Sequence, residues 1–360
     1  MRIAQISTMA SPVRRHGSHS IEHLVWLLTE QLVKLGHDVT VFAAAGSQTS
    51  GRLVETMPGP YATEGSLSNW QTCETINLAR AIAQSGEFDV LHSHAYLWGL
   101  PFAPLSKAPI VHTLHVQPYD DEMQLWSQCP DATVTAISRF QWQAYPALRP
   151  AGVVYHGVEP DEFTFRKDPR DYLCFLGRVV AGKGARAAAH VARALGVRLV
   201  IAGPRNEYFE RYVEPLVDGK RVEYVGAVAG RERDQLLGGA RALLYPVQRP
   251  EPFGLVQVEA MMCGTPVAAL RIGAVSEVVD EGVTGATASS VNRLADAVRV
   301  ALQLDRAAVR RRAVERFSAD RMARDYLKIY EATAGKGRER PLPDHSKPSR
   351  RRRQRAGVRA

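Results

Sequence analysis

"FLGRVVAGKGARAA", residues 175–188, follows an apolar run, Tyr172–Leu176, and leads into an alanine-rich stretch. It reads as strand, glycine loop, helix, the unit from which parallel α/β sheets are built. Gly177, four residues, then Gly182 and Lys183 nearly spell a P-loop. A P-loop needs Ser or Thr after the lysine, because that hydroxyl holds Mg²⁺. Here the position is Gly184, and no convincing Walker B aspartate follows. The dinucleotide fingerprint G-x-G-x-x-G is absent as well. What survives is Arg178 and Lys183 at the carboxyl end of a strand, with glycines that let backbone approach closely. Two fixed cations beside helix N-terminal amides can neutralise a diphosphate without a metal. The plainer alternative is a glycine turn carrying two solvated cations.

The same rhythm extends both ways. Before it, "RIAQIS", "DVTVFAA", "FDVLHSH", "PIVHTLH", "ATVTAIS" and "GVVYHG" read as strands. The first is followed by a helix with Ile21, Leu24, Leu28, Leu32 and Leu35 on one face and Gly36 as its stop. After residue 158 the pattern restarts with "YLCFLG", "VRLVIAG", "VEYVG", "ARALLYPV" and "VAALRI". The expected fold class is α/β, two doubly wound Rossmann-like domains facing a cleft. "HGVEPDEF", residues 156–163, is polar and turn-rich and serves as the linker. "FSADRMARDYLKIYEA" reads as a final helix with Ser318 as its N-cap. The division expected is 1–157, 158–315, a helix 316–334 and a basic tail 335–360. The tail has almost nothing apolar to bury and is expected to be disordered.

"EPFGLVQVEAMMCGTPV" starts at Glu251 and carries a second carboxylate at Glu259. Pro252 suits an early helix position. The stretch is apolar on nearly every face, so its helix should be buried. A buried Glu259 then needs a partner, and no basic residue lies at helical spacing on its own helix. The partner comes from elsewhere in the fold or from a ligand, for which a ribose diol is a natural choice. The amides of Phe253, Gly254 and Leu255, in the expected first turn, can hold anionic or hydroxyl oxygens. A capping Glu251 and a Glu259 bonded to backbone are the bland alternatives.

This segment resembles the E-x7-E motif of retaining glycosyltransferases with the GT-B fold, in particular the large family 4. "FLGRVVAGKG" is similar to that family's Arg/Lys diphosphate loop, and "IGAVSEVVDEGVTG" to its glycine-rich turn and helix. "LVKLGHDVTVFAA", "VVYHGVEPDEF" and the crossing-back helix "RFSADRMARDYLKIY" agree in order, so the resemblance spans about residues 1–332. It implies that Arg178 and Lys183 hold a donor diphosphate and that Glu259 binds the donor ribose. It implies that Glu251 meets the donor sugar near the reacting centre, with the amides of Gly254 and Leu255, and Phe253 beside them, on the donor side. His115 matches the histidine that the family keeps beside the donor sugar. By strand alternation His115 faces away from His112. His92 and His94 end a neighbouring strand and read as hydrogen-bonded cleft histidines, with His94 an acceptor-side candidate. Many relatives carry paired glycines before the first helix; here His19 and Ser20 stand there, with Gly17 nearby as a further acceptor-side candidate, and the side chains of His19 and Ser20 would narrow the cleft or supply new contacts.

Composition bounds the rest. The chain has 360 residues, comfortable for two domains, and 45% hydrophobic residues, as a folded protein requires. Of the net charge of +9, +8 lies in Lys336–Ala360, where ten Lys/Arg face Glu339 and Asp344. The folded part is therefore near neutral, which argues against nucleic acid as a partner. Any membrane contact is expected only through that tail. The stretch "SLSNWQTCETINLARAIAQSGEF" has one Arg against two Glu, a poor match for anionic lipid. Cys73, Cys129, Cys174 and Cys263 are scattered without metal spacing, and no signal peptide or membrane span is read, so a cytoplasmic protein is expected. All of Trp26, Trp70, Trp98, Trp126 and Trp142 fall in the first domain, most expected as packing residues.

The reading is a metal-independent, retaining glycosyltransferase of hexosyltransferase type. It takes a nucleoside-diphosphate sugar as co-substrate and a soluble small molecule or sugar as acceptor, with no cofactor. A sugar-nucleotide epimerase on the same fold and a non-catalytic nucleotide-sugar-binding protein are the alternatives.

Overall fold

A computed structural model describes residues 1–15, 20–62, 69–126, 128–129, 132–143 and 151–338. Two all-parallel sheets form. The first contains β1 (Arg2–Ile6), β2 (Asp38–Ala44), β3 (Arg52–Met57), β4 (Val90–Ser93), β5 (Ile110–Thr113), β6 (Thr133–Ala136) and β7 (Gly152–Val153), in the order β3-β2-β1-β4-β5-β6-β7. The second contains β8 (Leu173–Leu176), β9 (Leu199–Ala202), β10 (Val222–Tyr224), β11 (Ala242–Tyr245), β12 (Val267–Leu270) and β13 (Gly285–Ala288), ordered β10-β9-β8-β11-β12-β13. Each is a doubly wound sheet, as expected from the alternating pattern. β3 and β13 had not been legible. Both lie at sheet edges, and neither carries the long apolar run of a central strand.

Side-chain alternation sends neighbours on one strand into different cores. Ile3, Val41, Val90 and Val111 pack with Leu24, Leu28 and Leu32 of the first helix (Ser20–Lys34). Ala4, Ile6, Phe42 and Leu91 pack on the other face with Leu78 and Ala81 of the helix Trp70–Ala83.

The last helix, Ala319–Arg338, covers the first sheet with Met322, Ala323, Tyr326 and Tyr330 although it follows the second in sequence. Ser318 caps it, its Oγ accepting from the amide of Arg321 at 3.3 Å. The helix runs four residues past the expected end at 334; beyond Arg338 the tail lies outside the described residues. The two crossings between the sheets run side by side. Val158 donates to Phe317 O (2.9 Å) and Ala319 donates to Val158 O (2.9 Å). A Cβ on Gly157 would stand 2.8 Å from Ser318 O, so the close approach requires glycine there. Among the described residues no helix is long and apolar enough to cross a membrane.

Trp26 packs against the first-domain core, as expected of a packing residue, but three other tryptophans are exposed. Trp70 (39% exposed) and Trp98 (37%) meet edge to face on the surface at 5.4 Å, and Trp142 is 44% exposed. Trp26 is half-buried and stacks on His23. The side chain of Trp126 lies outside the described residues.

Candidate active site

In both sheets the chain winds outward one way from the first strand and then the other way, so β1/β4 and β8/β11 are switch points. Ligands of open α/β sheets bind outside the strand ends at such points. A cleft of about 860 Å³ opens there, between the two sheets. Arg178 and Lys183 reach it from the loop after β8, and Glu251 from the loop after β11. A smaller cavity of about 290 Å³ continues from it, sharing Lys183, Glu251, Gly254 and Leu255 and adding Arg233 and Glu259.

The Lys183 ammonium pairs with Oε1 of Glu251 in a short contact, and the Tyr245 hydroxyl donates to its Oε2. Burial, reinforced by the adjacent carboxylate, holds the Tyr245 phenol well above its ordinary pKa, so it stays a donor. Glu251 is thus oriented from two sides. Its backbone is fixed too: Ala274 N donates to Glu251 O at 3.0 Å. Gly273 lies against this segment with φ +65°, where a Cβ would stand 2.6 Å from both Glu251 N and O.

Gly184 explains the missing P-loop hydroxyl. Its φ is +80°, and a Cβ would stand 2.1 Å from Pro246 O, so no side chain fits at the magnesium position. The loop is tied to its neighbour by Gln248 N donating to Gly182 O at 2.8 Å. Arg249 packs its stem within 3.1 Å of where a Cβ on Gly182 would be, and lines the cleft. Arg178 and Arg249 are exposed there, and neither has an ion-pair partner among the described residues. Arg249 was missed in sequence because nothing marks a lone arginine before E-x7-E until the fold turns it inward.

Helix geometry corrects one expectation. The helix of the E-x7-E segment runs Leu255–Met262, so Pro252, Phe253 and the cap Gly254 precede it rather than forming its first turn. Gly254 has φ +89°, and a Cβ would meet Gln257 Nε2 and Tyr245 Oη at 2.5 Å. Gly254 and Leu255, at this helix start, line the cleft, and the first amides of a helix lack intrahelical partners. Glu259 does have a protein partner: Arg233 Nη1 lies 3.0 Å from Oε1. Burial raises the Glu259 pKa, and Arg233 opposes the rise.

On the first-domain side the cleft is walled by Ser20, Ile21, Leu24, His115, Gln117 and Tyr119. Ser20 opens the first helix and is exposed; Gly17 and His19 lie outside the described residues. His115 is at the cleft, as expected, and stacks on His156 (5.2 Å, 17°), which meets the Phe253 ring edge-on. His94, expected as an acceptor-side candidate, does not line the cleft. It is buried behind His115, with its Nδ1 2.9 Å from His115 Nε2. Burial pushes the His115 pKa down to about 3 and holds His94 and His156 well below the usual value, so this wall is uncharged at neutral pH.

Two family descriptions divide the chain between them. Residues 159–316 match Glycosyl transferases group 1, and residues 21–162 match Glycosyltransferase Family 4. The chain belongs to the family 4 glycosyltransferases. The transferase is 29% identical to a D-inositol 3-phosphate glycosyltransferase of Mycolicibacterium smegmatis, covering 99% of this chain and 97% of that one. A protein of the same name from Thermobifida fusca is 28% identical over 79% of this chain and 81% of its own. Among solved structures, AviGT4, a glycosyltransferase involved in avilamycin A biosynthesis, superposes with TM-score 0.72 at 26% identity, covering 93% of this chain and 98% of that one. Sucrose-phosphate synthase from Thermosynechococcus elongatus shares the fold, with TM-score 0.76 at 19% identity, over 92% and 98% of the two chains. The two facing sheets are therefore a GT-B architecture.

Proposed function

We propose that this glycosyltransferase moves a sugar from a nucleoside-diphosphate sugar to a hydroxyl of a soluble small-molecule or sugar acceptor, with retention and without a metal. The observation that carries the reading is the meeting of Lys183 and Glu251, from two different loops, beside Arg178 and Arg249, which have no ion-pair partner among the described residues. The donor diphosphate lies among these cations. Its ribose lies against Glu259 in the smaller cavity, where Arg233 holds the carboxylate in place. The bond from the anomeric carbon to the diphosphate breaks as the acceptor oxygen bonds that carbon on the same face. The acceptor proton passes to the leaving phosphate oxygen. Arg178, Lys183, Arg249 and the amides at the start of Leu255–Met262 stabilise the developing charge, the main source of rate enhancement expected in such catalysis. Glu251 meets the sugar. Cations already in place make a bridging metal unnecessary. Magnesium also finds no side chain at Gly184.

For the acceptor, the relatives named for D-inositol 3-phosphate supply a first candidate. The described first-domain lining of the cleft carries no Lys or Arg, which favours a neutral polyol or sugar over a phosphorylated one.

The test is release of nucleoside diphosphate from a panel of sugar nucleotides in EDTA, with neutral and phosphorylated inositols and simple sugars as acceptors. The expected result is acceptor-dependent release and a product whose new bond, read by proton NMR, keeps the donor configuration. Strict dependence on Mg²⁺ or Mn²⁺ refutes metal independence, an inverted bond refutes retention, and isomerised donor without acceptor points to an epimerase.

A further inference from the structure

Behind the cleft wall seven side chains form one hydrogen-bonded chain. His115 Nε2 meets His94 Nδ1 at 2.9 Å, and His94 Nε2 meets Gln5 Oε1 at 2.8 Å. Gln5 Nε2 donates to the Tyr330 hydroxyl at 3.2 Å, which meets His92 Nδ1 at 2.6 Å. His92 Nε2 meets Thr113 Oγ1 at 2.7 Å, and Thr113 Oγ1 meets the Tyr326 hydroxyl at 3.0 Å. All but His115 are buried. The members come from β1, β4, β5, the loops that follow β4 and β5, and the last helix.

The chain has a direction. The Gln5 carbonyl can only accept, so His94 carries its proton on Nε2. A neutral imidazole has one N–H, so His94 Nδ1 accepts and His115 must donate from Nε2. At the other end of Gln5, its amide donates to Tyr330, leaving the tyrosine hydrogen for His92 Nδ1. Burial keeps these imidazoles neutral. The opposite direction would place a proton on His115 Nδ1, which has no partner among the described residues and is shielded from solvent. A buried N–H without an acceptor is costlier than a bare lone pair. In the first direction, the spare hydrogen belongs to a hydroxyl, which can rotate to find an acceptor.

We propose that Gln5 and Tyr330 are positioning residues that hold the proton of His115 on Nε2 and leave its Nδ1 a bare lone pair, fixing the ring that lines the cleft. The last helix completes the site by bringing Tyr330 back to the first sheet. The relay does not rest on the transferase reading.

The experiment uses the full chain with ¹⁵N-labelled histidine and no ligand. Long-range proton–nitrogen correlation separates the two tautomers, and His115→Asn identifies the His115 signals by their loss. The expected result is a wild-type His115 protonated on Nε2. In the near-isosteric Tyr330→Phe and, separately, in Gln5→Met, the Nδ1-protonated form becomes populated. A purely structural Tyr330 would lower the melting temperature and leave the tautomer alone. A wild-type proton on Nδ1, or a tautomer unchanged in either folded variant, overturns the proposal. If the tautomer is as stated and no sugar nucleotide binds, the relay stands and the transferase reading falls.

Discussion

Lys183 and Arg178 reach the same cleft, but Lys183 is held by Glu251 while Arg178 has no ion-pair partner among the described residues. Either cation removed leaves a developing diphosphate charge less stabilised, so Arg178→Ala and Lys183→Ala should each cut turnover by ~100-fold or more. Steady-state kinetics with the identified donor checks this, and near wild-type rates in both would remove the diphosphate assignment. A second titratable residue affects stability rather than turnover. Glu74 is buried, accepts from Met9 N at 2.8 Å, and has its pKa pushed up to about 8, chiefly by burial. Its carboxyl binds a proton in the folded chain at pH values where the unfolded chain has lost it. The folded state therefore holds more protons between about pH 4.5 and 8, and stability falls as pH rises through that window. Glu74→Gln keeps an acceptor for Met9 and should flatten that part of the curve of melting temperature against pH. An unchanged curve would show that Glu74 titrates normally.

At the scale of elements, the loop between β8 and the helix Ala185–Leu195 decides which phosphate chemistry is open to the chain. Gly184→Ser restores the P-loop spelling but sets a Cβ against Pro246 O. It should lower the melting temperature, with a cost of ~1–3 kcal/mol for a non-glycine residue in a strained conformation. It should create no Mg²⁺-dependent triphosphate binding. Thermal melting with and without Mg²⁺ and ATP reads both outcomes. Most central strands were legible because strands buried on both faces are continuous apolar runs. The carboxylate pair and the diphosphate loop were legible because E-x7-E and the Arg/Lys loop are local in sequence. Arg233, Tyr245, Arg249 and His156 were not, because each acts across elements. Arg233 reaches Glu259 over 26 residues, and Gln5 reaches Tyr330 over 325. Periodicity places a side chain on a face but says nothing of which distant element will cover it. The start of the E-x7-E helix was misplaced for a related reason: Pro252 signals a helix start, but the left-handed Gly254 delays it.

Across the whole molecule the two halves are tied by polar contacts as well as packing. Glu277, beside the turn after β12, accepts from the amides of Arg139 (2.7 Å) and Phe140 (2.5 Å) and from the Tyr155 hydroxyl (3.0 Å). Arg15 pairs with Glu162 at 2.9 Å on the other side of the crossing. Removing the first contact with Glu277→Ala should let the cleft open. The expected outcome is a larger radius of gyration by small-angle scattering and a ~10-fold lower kcat/KM, the scale of losing one charge-assisted bond. An unchanged radius and rate would show that the sheets are held by packing alone.

The central claim is that the cations of this cleft hold a nucleoside-diphosphate sugar. Its most direct test is the melting temperature of the wild-type chain and of the Arg178→Ala/Lys183→Ala double variant, across UDP-, GDP-, ADP- and TDP-sugars in EDTA. The expected result is a clear rise in the wild-type chain with at least one of them, growing with ligand concentration and lost in the double variant. No rise with any sugar nucleotide, or a rise that survives the loss of both cations, would contradict it.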